Sequence, residues 1–69
     1  MINHLTRAKE LRIRAGQYEI SAEETTSEKF RECYRLLAIN FNGLATLEEE
    51  FVAREIAART ENNFTLIPR

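Results

Sequence analysis

The sequence has few of the residues that stabilise small domains through disulfides or metal sites. It contains one cysteine, one histidine, one proline, two glycines and no tryptophan. A single cysteine, Cys33, excludes a disulfide within the chain. Together with His4 it supplies too few ligands for a structural zinc site, which normally takes four. Stability must therefore come from helix packing or from association, the remaining devices of small domains.

Residue patterns for catalysis are also lacking. The sequence has no aspartate, and His4 is its only histidine. A catalytic Cys33 would therefore have one candidate imidazole base. We find no Ser-His-Asp set, glycine-rich phosphate loop or paired-cysteine motif. The densest carboxylate group, Glu48-Glu49-Glu50, is explained by the first turn of a helix, where negative charge is favoured. We therefore expect no enzymatic activity, no metal and no cofactor.

Long apolar runs are missing as well. No run approaches the ~20 residues that span a bilayer. The first ten residues, MINHLTRAKE, lack the continuous apolar core of a signal peptide. We expect no membrane contact and a cytoplasmic location, with which one unpaired cysteine agrees.

The charge is small overall but uneven. The formal net charge is −1, which gives no general attraction to nucleic acid or membranes. Residues 1–18 carry four basic residues against one glutamate (+3), and residues 19–69 carry six against ten (−4). Three arginines of the basic segment are candidate contacts for a partner protein or a nucleic acid: Arg7, Arg12 and Arg14.

The apolar spacing and the caps predict an all-α fold with three short helices, at about 4–15, 26–42 and 47–60, in one domain over residues 1–69. Asn3 is placed to cap the first helix. Gly16 and Gly43 are placed to end the first and second. Capping-box patterns at residues 21–24 and 25–28 offer two starts for the second helix, of which we prefer the later, and a third pattern at residues 46–49 marks the start of the third helix. The second and third helices would form a hairpin, with the first helix across it.

Two segments remain open between alternatives. Tyr18 and Ile20 alternate with polar neighbours, as in a short strand, but four residues make a connecting loop the preferred interpretation. The tail Phe64–Ile67 is apolar and is predicted to be ordered, either as a strand or as extended cover on the helices.

The central helix carries more apolar surface than one buried face requires. Its predicted core stripe consists of Phe30, Cys33, Tyr34, Leu37, Ala38 and Phe41, with Cys33 as a buried small hydrophobe. Leu36 and Ile39 fall outside that stripe, and Val52 and Ile56 lie off the main face of the third helix. The surplus predicts a homo-oligomer that uses these four residues: Leu36, Ile39, Val52 and Ile56.

The sequence thus favours a non-enzymatic helical protein–protein interaction factor, a regulator or adaptor that acts as a homo-oligomer. Small helical proteins of this kind are often accessory regulators in bacteria and their phages. One alternative is a transcriptional regulator that binds nucleic acid through its basic first helix. A second alternative is an antitoxin-like inhibitor that docks on a partner protein through the tail.

Overall fold

The chain forms two antiparallel helices. In a computed structural model, which describes residues 3–65 and the side chains of residues 3–60, α1 spans His4–Glu24 and α2 spans Glu28–Thr65. The prediction of an all-helical fold is confirmed, since residues 3–65 contain no strand. α2 has 38 residues against 21 in α1, so it extends well past the start of α1.

The prediction of three helices was wrong, because neither glycine ends a helix. Gly16 lies inside α1 and Gly43 inside α2, and neither has a positive φ. A glycine within a helix costs about 1 kcal/mol relative to alanine. Buried positions on both sides of each glycine, such as Ala15 and Ala45, outweigh this cost through packing, which dominates helix stability in proteins.

Three further expectations change with these longer helices. Tyr18 and Ile20 belong to α1 and not to a loop or strand. Glu48–Glu50 lies in the middle of α2, so the helix-start explanation for these carboxylates was wrong. Phe64 and Thr65 end α2, while the rest of the predicted tail, residues 66–69, lies outside the described residues.

The helix ends at the start of α1 and around the turn are capped by side chains and backbone. Asn3 accepts a hydrogen bond from the backbone N–H of Thr6 at 3.1 Å, as predicted. At the turn, the hydroxyl of Ser27 accepts from the N–H of Phe30 at 3.3 Å and starts α2. Arg31 donates to the carbonyls of Ala22 at 3.2 Å and Thr25 at 3.0 Å. A guanidinium there satisfies carbonyls that a helix end leaves free, and it joins the two helices.

The buried faces of both helices repeat every seven residues, with alternating steps of three and four. This spacing is typical of coiled-coil packing, in which one apolar stripe of each helix faces its partner. Every position of the repeat is buried or half-buried. In α1 these positions are His4, Ala8, Leu11, Ala15, Tyr18, Ala22 and, just after the helix, Thr25; in α2 they are Arg31, Tyr34, Ala38, Phe41, Ala45, Glu48 and Val52.

Each of the five central layers of this interface pairs a larger side chain with an alanine, whereas the two end layers contain none. The ring of Tyr18 lies 6.1 Å from that of Tyr34 and 5.5 Å from that of Phe41, centroid to centroid. Tyr18 therefore sits opposite Ala38, between these two aromatic residues. The same register sets Leu11 opposite Ala45, Ala15 opposite Phe41 and Ala22 opposite Tyr34. We call the five buried alanines, Ala8, Ala15, Ala22, Ala38 and Ala45, the alanine interface.

The alanine interface is all of the buried apolar core among residues 3–60, and no large side chain there is fully buried. The predicted core stripe is therefore only partly correct. Ala38 is buried and Tyr34 and Phe41 are half-buried, but Phe30, Cys33 and Leu37 are exposed. These three lie about 100° around α2 from the alanine interface, since successive helical residues are rotated by that angle.

Because the alanine interface depends on small side chains, enlarging one should separate the helices. We predict that Ala15→Leu lowers the free energy of unfolding by about 1–3 kcal/mol, the usual cost of overpacking. Ala53→Leu is the matched control, because Ala53 is exposed on α2, and it should change stability by less than about 0.5 kcal/mol. Urea unfolding followed by circular dichroism measures both. Equal effects of the two substitutions would contradict the register of the hairpin.

Candidate interaction surface

A continuous apolar stripe runs along α2 on the side that α1 leaves open. Its positions again repeat every seven residues, one position before those of the hairpin interface, and all are exposed. Phe30 and Leu47 are both 61% exposed. We call this set the outer stripe: Phe30, Cys33, Leu37, Asn40, Leu44, Leu47 and Phe51. Six of these seven positions are apolar, so the stripe has the pattern of a second helix-packing face.

α1 reaches the outer stripe at one end of it. The ring of His4 lies 4.6 Å from that of Phe51, centroid to centroid. Nevertheless Phe51 is still 48% exposed. The rest of the stripe faces away from α1 because it lies about 100° from the hairpin interface. A second helix can therefore approach it without displacing α1.

The four residues predicted for self-association do not form one patch. Leu36, Ile39 and Ile56 are exposed, at 56%, 65% and 58%. Val52 is half-buried and belongs to the hairpin interface, so the structure assigns it a role within the chain. Leu36 is next to the outer stripe, whereas Ile39 lies farther around α2. The structure therefore brings only Leu36 close to the larger apolar face.

Arg12 is held by an ion pair within the hairpin. Its Nε and Nη2 donate to the two carboxylate oxygens of Glu49 at 3.1 and 2.5 Å. Weaker hydrogen bonds reach the side chains of Asn42 at 3.4 Å and Thr46 at 3.5 Å. A two-point guanidinium–carboxylate pair fixes geometry as well as charge. Arg12 thus joins α1 to α2, and much of its donor capacity is used inside the chain.

The other two arginines differ from Arg12. Arg7 lies 3.6 Å from Glu48 (Nε to Oε1), and His4 hydrogen-bonds the same carboxylate through Nδ1. Arg14 is exposed and has no ion pair among residues 3–60. The three predicted contact residues therefore do not present one free basic cluster, because glutamates of α2 neutralise two of them.

Sequence reasoning missed Leu44, Leu47 and Phe51 as parts of a single surface with Phe30 and Leu37. The signal was present, because the three–four spacing continues without a break across Gly43. It was overlooked because Gly43 was expected to end a helix, which divided the stripe between two elements.

Within the described residues, neither a metal cluster nor a membrane span is found. No group of three or more His, Cys, Asp or Glu side chains is placed to hold a metal ion. Neither described helix has a segment both long and apolar enough to cross a bilayer.

Comparison with known proteins does not assign the chain to a family. No family model matches it, and neither the curated proteins nor the solved structures provided a match. A functional proposal therefore depends on the geometry of the two helices and on the surface that they expose.

The Arg12–Glu49 pair predicts a measurable change in acidity. The hydrogen bonds from Arg12 lower the pKa of Glu49 below its ordinary value of 4.5, and the positive charge of Arg12 adds to that effect. Because the pKa is lower in the folded chain, the pair stabilises the fold fully above pH 4.5 and loses this effect as the pH falls through the lower value. An NMR titration of the Glu49 carboxyl carbon measures the pKa.

We expect Arg12→Gln to return the pKa of Glu49 towards its ordinary value. Arg14→Gln is the matched control, since Arg14 makes no ion pair with Glu49 in the hairpin, and it should leave that pKa unchanged. An unaltered Glu49 pKa in Arg12→Gln would show that the ion pair does not persist in solution.

Proposed function

We propose that this chain is a non-enzymatic helical interaction protein, and that its first partner is another copy of itself. The observation that carries this proposal is the inverted distribution of apolar side chains. Among residues 3–60 the buried core is made of alanine alone, while eleven large apolar side chains are exposed. Five of these eleven lie in the outer stripe, and a contiguous exposed apolar face of this kind typically marks an interaction site.

The exposed area supports association quantitatively. The solvent-accessible surface of the chain is 6058 Å². A compact monomer of 8.1 kDa exposes about 4,500 Å² on the usual scaling of area with mass. The excess, on the order of 1,500 Å², is comparable to what one partner buries in an obligate dimer. The radius of gyration, 18.1 Å against about 11 Å for a compact domain of this length, shows that the excess comes with an elongated shape.

The small apolar area buried in the alanine interface also supports association. Burial of one methylene-sized group stabilises the folded state by about 0.8 kcal/mol, so a buried alanine contributes little compared with a buried leucine or phenylalanine. Two helices with such a core lack the apolar burial that small domains need to fold alone. Association through the outer stripe would supply that burial from residues the hairpin leaves exposed.

The charge arrangement favours a protein partner over a nucleic acid. Binding to phosphates requires free basic groups, and its strength depends on how many of them are available. Arg12 is paired with Glu49 and Arg7 lies near Glu48. The basic start of α1 is therefore largely balanced by the acidic middle of α2, which speaks against the nucleic-acid alternative.

Leu44→Glu tests the proposal, because Leu44 is at the middle of the outer stripe. We expect the unaltered chain to sediment as a dimer or larger assembly. Leu44→Glu should weaken association by roughly 100-fold or more, since it replaces buried apolar area by a charge in both copies. Sedimentation equilibrium over a range of protein concentrations measures the constants.

Ile13→Glu is the matched control for Leu44→Glu. Ile13 is 56% exposed, but it lies on α1 opposite the hairpin interface and away from the outer stripe. It should leave the assembly intact. A fully helical monomer for the unaltered chain would contradict the proposal. Retention of nucleic acid at low salt, lost at high salt, would favour the alternative instead.

A further inference from the structure

We propose that two copies pair α2 against α2 in antiparallel orientation along the outer stripe, about a two-fold axis close to Asn40. This inference rests on the proposed function and names its partner and geometry. The outer stripe is the recognition surface, and the occupant is the same stripe of a second copy.

The composition of the outer stripe is nearly the same in both directions. Phe30 and Phe51 stand at its two ends, Leu37 and Leu44 flank its centre, and Asn40 is central. An antiparallel two-fold interface pairs a surface with its own reverse, so each residue must suit its counterpart. Here that operation brings Phe30 to Phe51 of the second copy and Leu37 to Leu44. The two Asn40 side chains meet near the axis.

The flanking charges distinguish antiparallel from parallel pairing. Lys29 and Glu50 border the two ends of the outer stripe on the same side, and both are exposed. They are 21 positions apart, about 32 Å along one helix, so they cannot pair within a chain. Antiparallel pairing about Asn40 brings Lys29 of each copy to Glu50 of the other. In parallel pairing this flank of each copy would instead face the opposite flank of its partner, so Lys29 and Glu50 would not meet.

The same two-fold pairing explains why a glycine stands at position 43. Gly43 is exposed within α2, and a Cβ added there would meet nothing within 4 Å in the hairpin. The hairpin alone therefore does not explain why a residue that weakens helices stands at this position. Gly43 shares the flank of Lys29 and Glu50 with Leu36, which is 56% exposed. Antiparallel pairing places Leu36 of the second copy over Gly43, where the missing side chain leaves room for it.

Asn40 fits the centre of this arrangement as a polar residue in an apolar stripe. A single asparagine at such a position is known to set register and oligomeric state in coiled coils, because its amide is satisfied only when it meets a polar partner. Two Asn40 side chains near the axis can hydrogen-bond each other. A register shift of seven residues would set each amide against Leu47 or Cys33 of the other copy, so Asn40 would select one alignment.

Cross-linking through cysteine tests the geometry directly. In the proposed pairing, Cys33 lies opposite Leu47 of the second copy and about 21 Å along the helix from the second Cys33. A disulfide requires Cα atoms within roughly 7 Å. We therefore expect no disulfide between the two Cys33 residues of the unaltered dimer. Leu47→Cys should form a disulfide with Cys33 of the other copy. In Asn40→Cys combined with Cys33→Ser, the cysteines at position 40 of the two copies should form a disulfide with each other.

The outcomes of cross-linking are distinct. Cross-linking by both engineered variants but not by Cys33 alone supports antiparallel pairing about Asn40. Efficient Cys33–Cys33 cross-linking would establish parallel pairing and overturn the inference. A dimer in sedimentation that cross-links in neither engineered variant would overturn this inference but leave the proposed function standing. A monomer in sedimentation would overturn the proposed function as well.

Charge reversal tests the orientation without cysteines. We expect Lys29→Glu and Glu50→Lys each to weaken the dimer by about tenfold, because each sets two like-charged contacts in place of two attractive ones. The double variant should restore the original constant. Such recovery cannot arise within one chain, given the separation of the two residues. If the double variant binds no better than the single variants, the antiparallel assignment is wrong.

Discussion

The alanine interface between α1 and α2 is the constraint on which the rest of the structure depends. Each of its five central layers sets an alanine opposite a larger side chain, as Tyr18 with Ala38 shows. Small residues on both helices allow close packing, but they remove little apolar area from water. Eleven large apolar side chains among residues 3–60 consequently remain exposed. The interface that shapes the hairpin therefore also creates the surface through which we propose that it associates.

Electrostatics has a different role from apolar burial here. The Arg12–Glu49 pair and the contacts of Glu48 with His4 and Arg7 all join the first half of α1 to the middle of α2. Exposed pairs of this kind contribute little to stability, but they favour one alignment of two helices that alanines alone would hold loosely. The opposite charges of Lys29 and Glu50 would act in the same way between copies.

The sequence was sufficient for the class of fold and for several local features. The Asn3 cap and the all-helical fold were predicted correctly, and the second helix was predicted to start near residue 26, two residues before the observed Glu28. The number of helices was not, because Gly16 and Gly43 resemble helix ends locally, and only packing along both sides carries the helices through them. The exposure of Cys33 and Leu37 was missed for a related reason. Periodicity finds apolar faces, but it does not say which face meets the other helix of the same chain.

The proposed surface could be anticipated only in part. The excess of apolar residues predicted association through four residues, of which Leu36 is exposed beside the outer stripe and Val52 belongs to the hairpin interface. The outer stripe becomes evident once α2 is continuous across Gly43, since Phe30 and Phe51 then lie on one face. The role of the arginines depended on which glutamates the antiparallel fold brings near them, and spacing along the sequence does not contain that information.

The dependence of the thermal midpoint on protein concentration tests the central claim most directly, namely that the hairpin needs a second copy to be stable. Folding coupled to association makes the midpoint rise with concentration, because mass action favours the assembled state. We predict such a rise over a hundredfold range of concentration, with helix content falling on dilution. A midpoint and a helix content that stay constant over that range would show that the alanine interface stabilises the hairpin alone and would contradict the account.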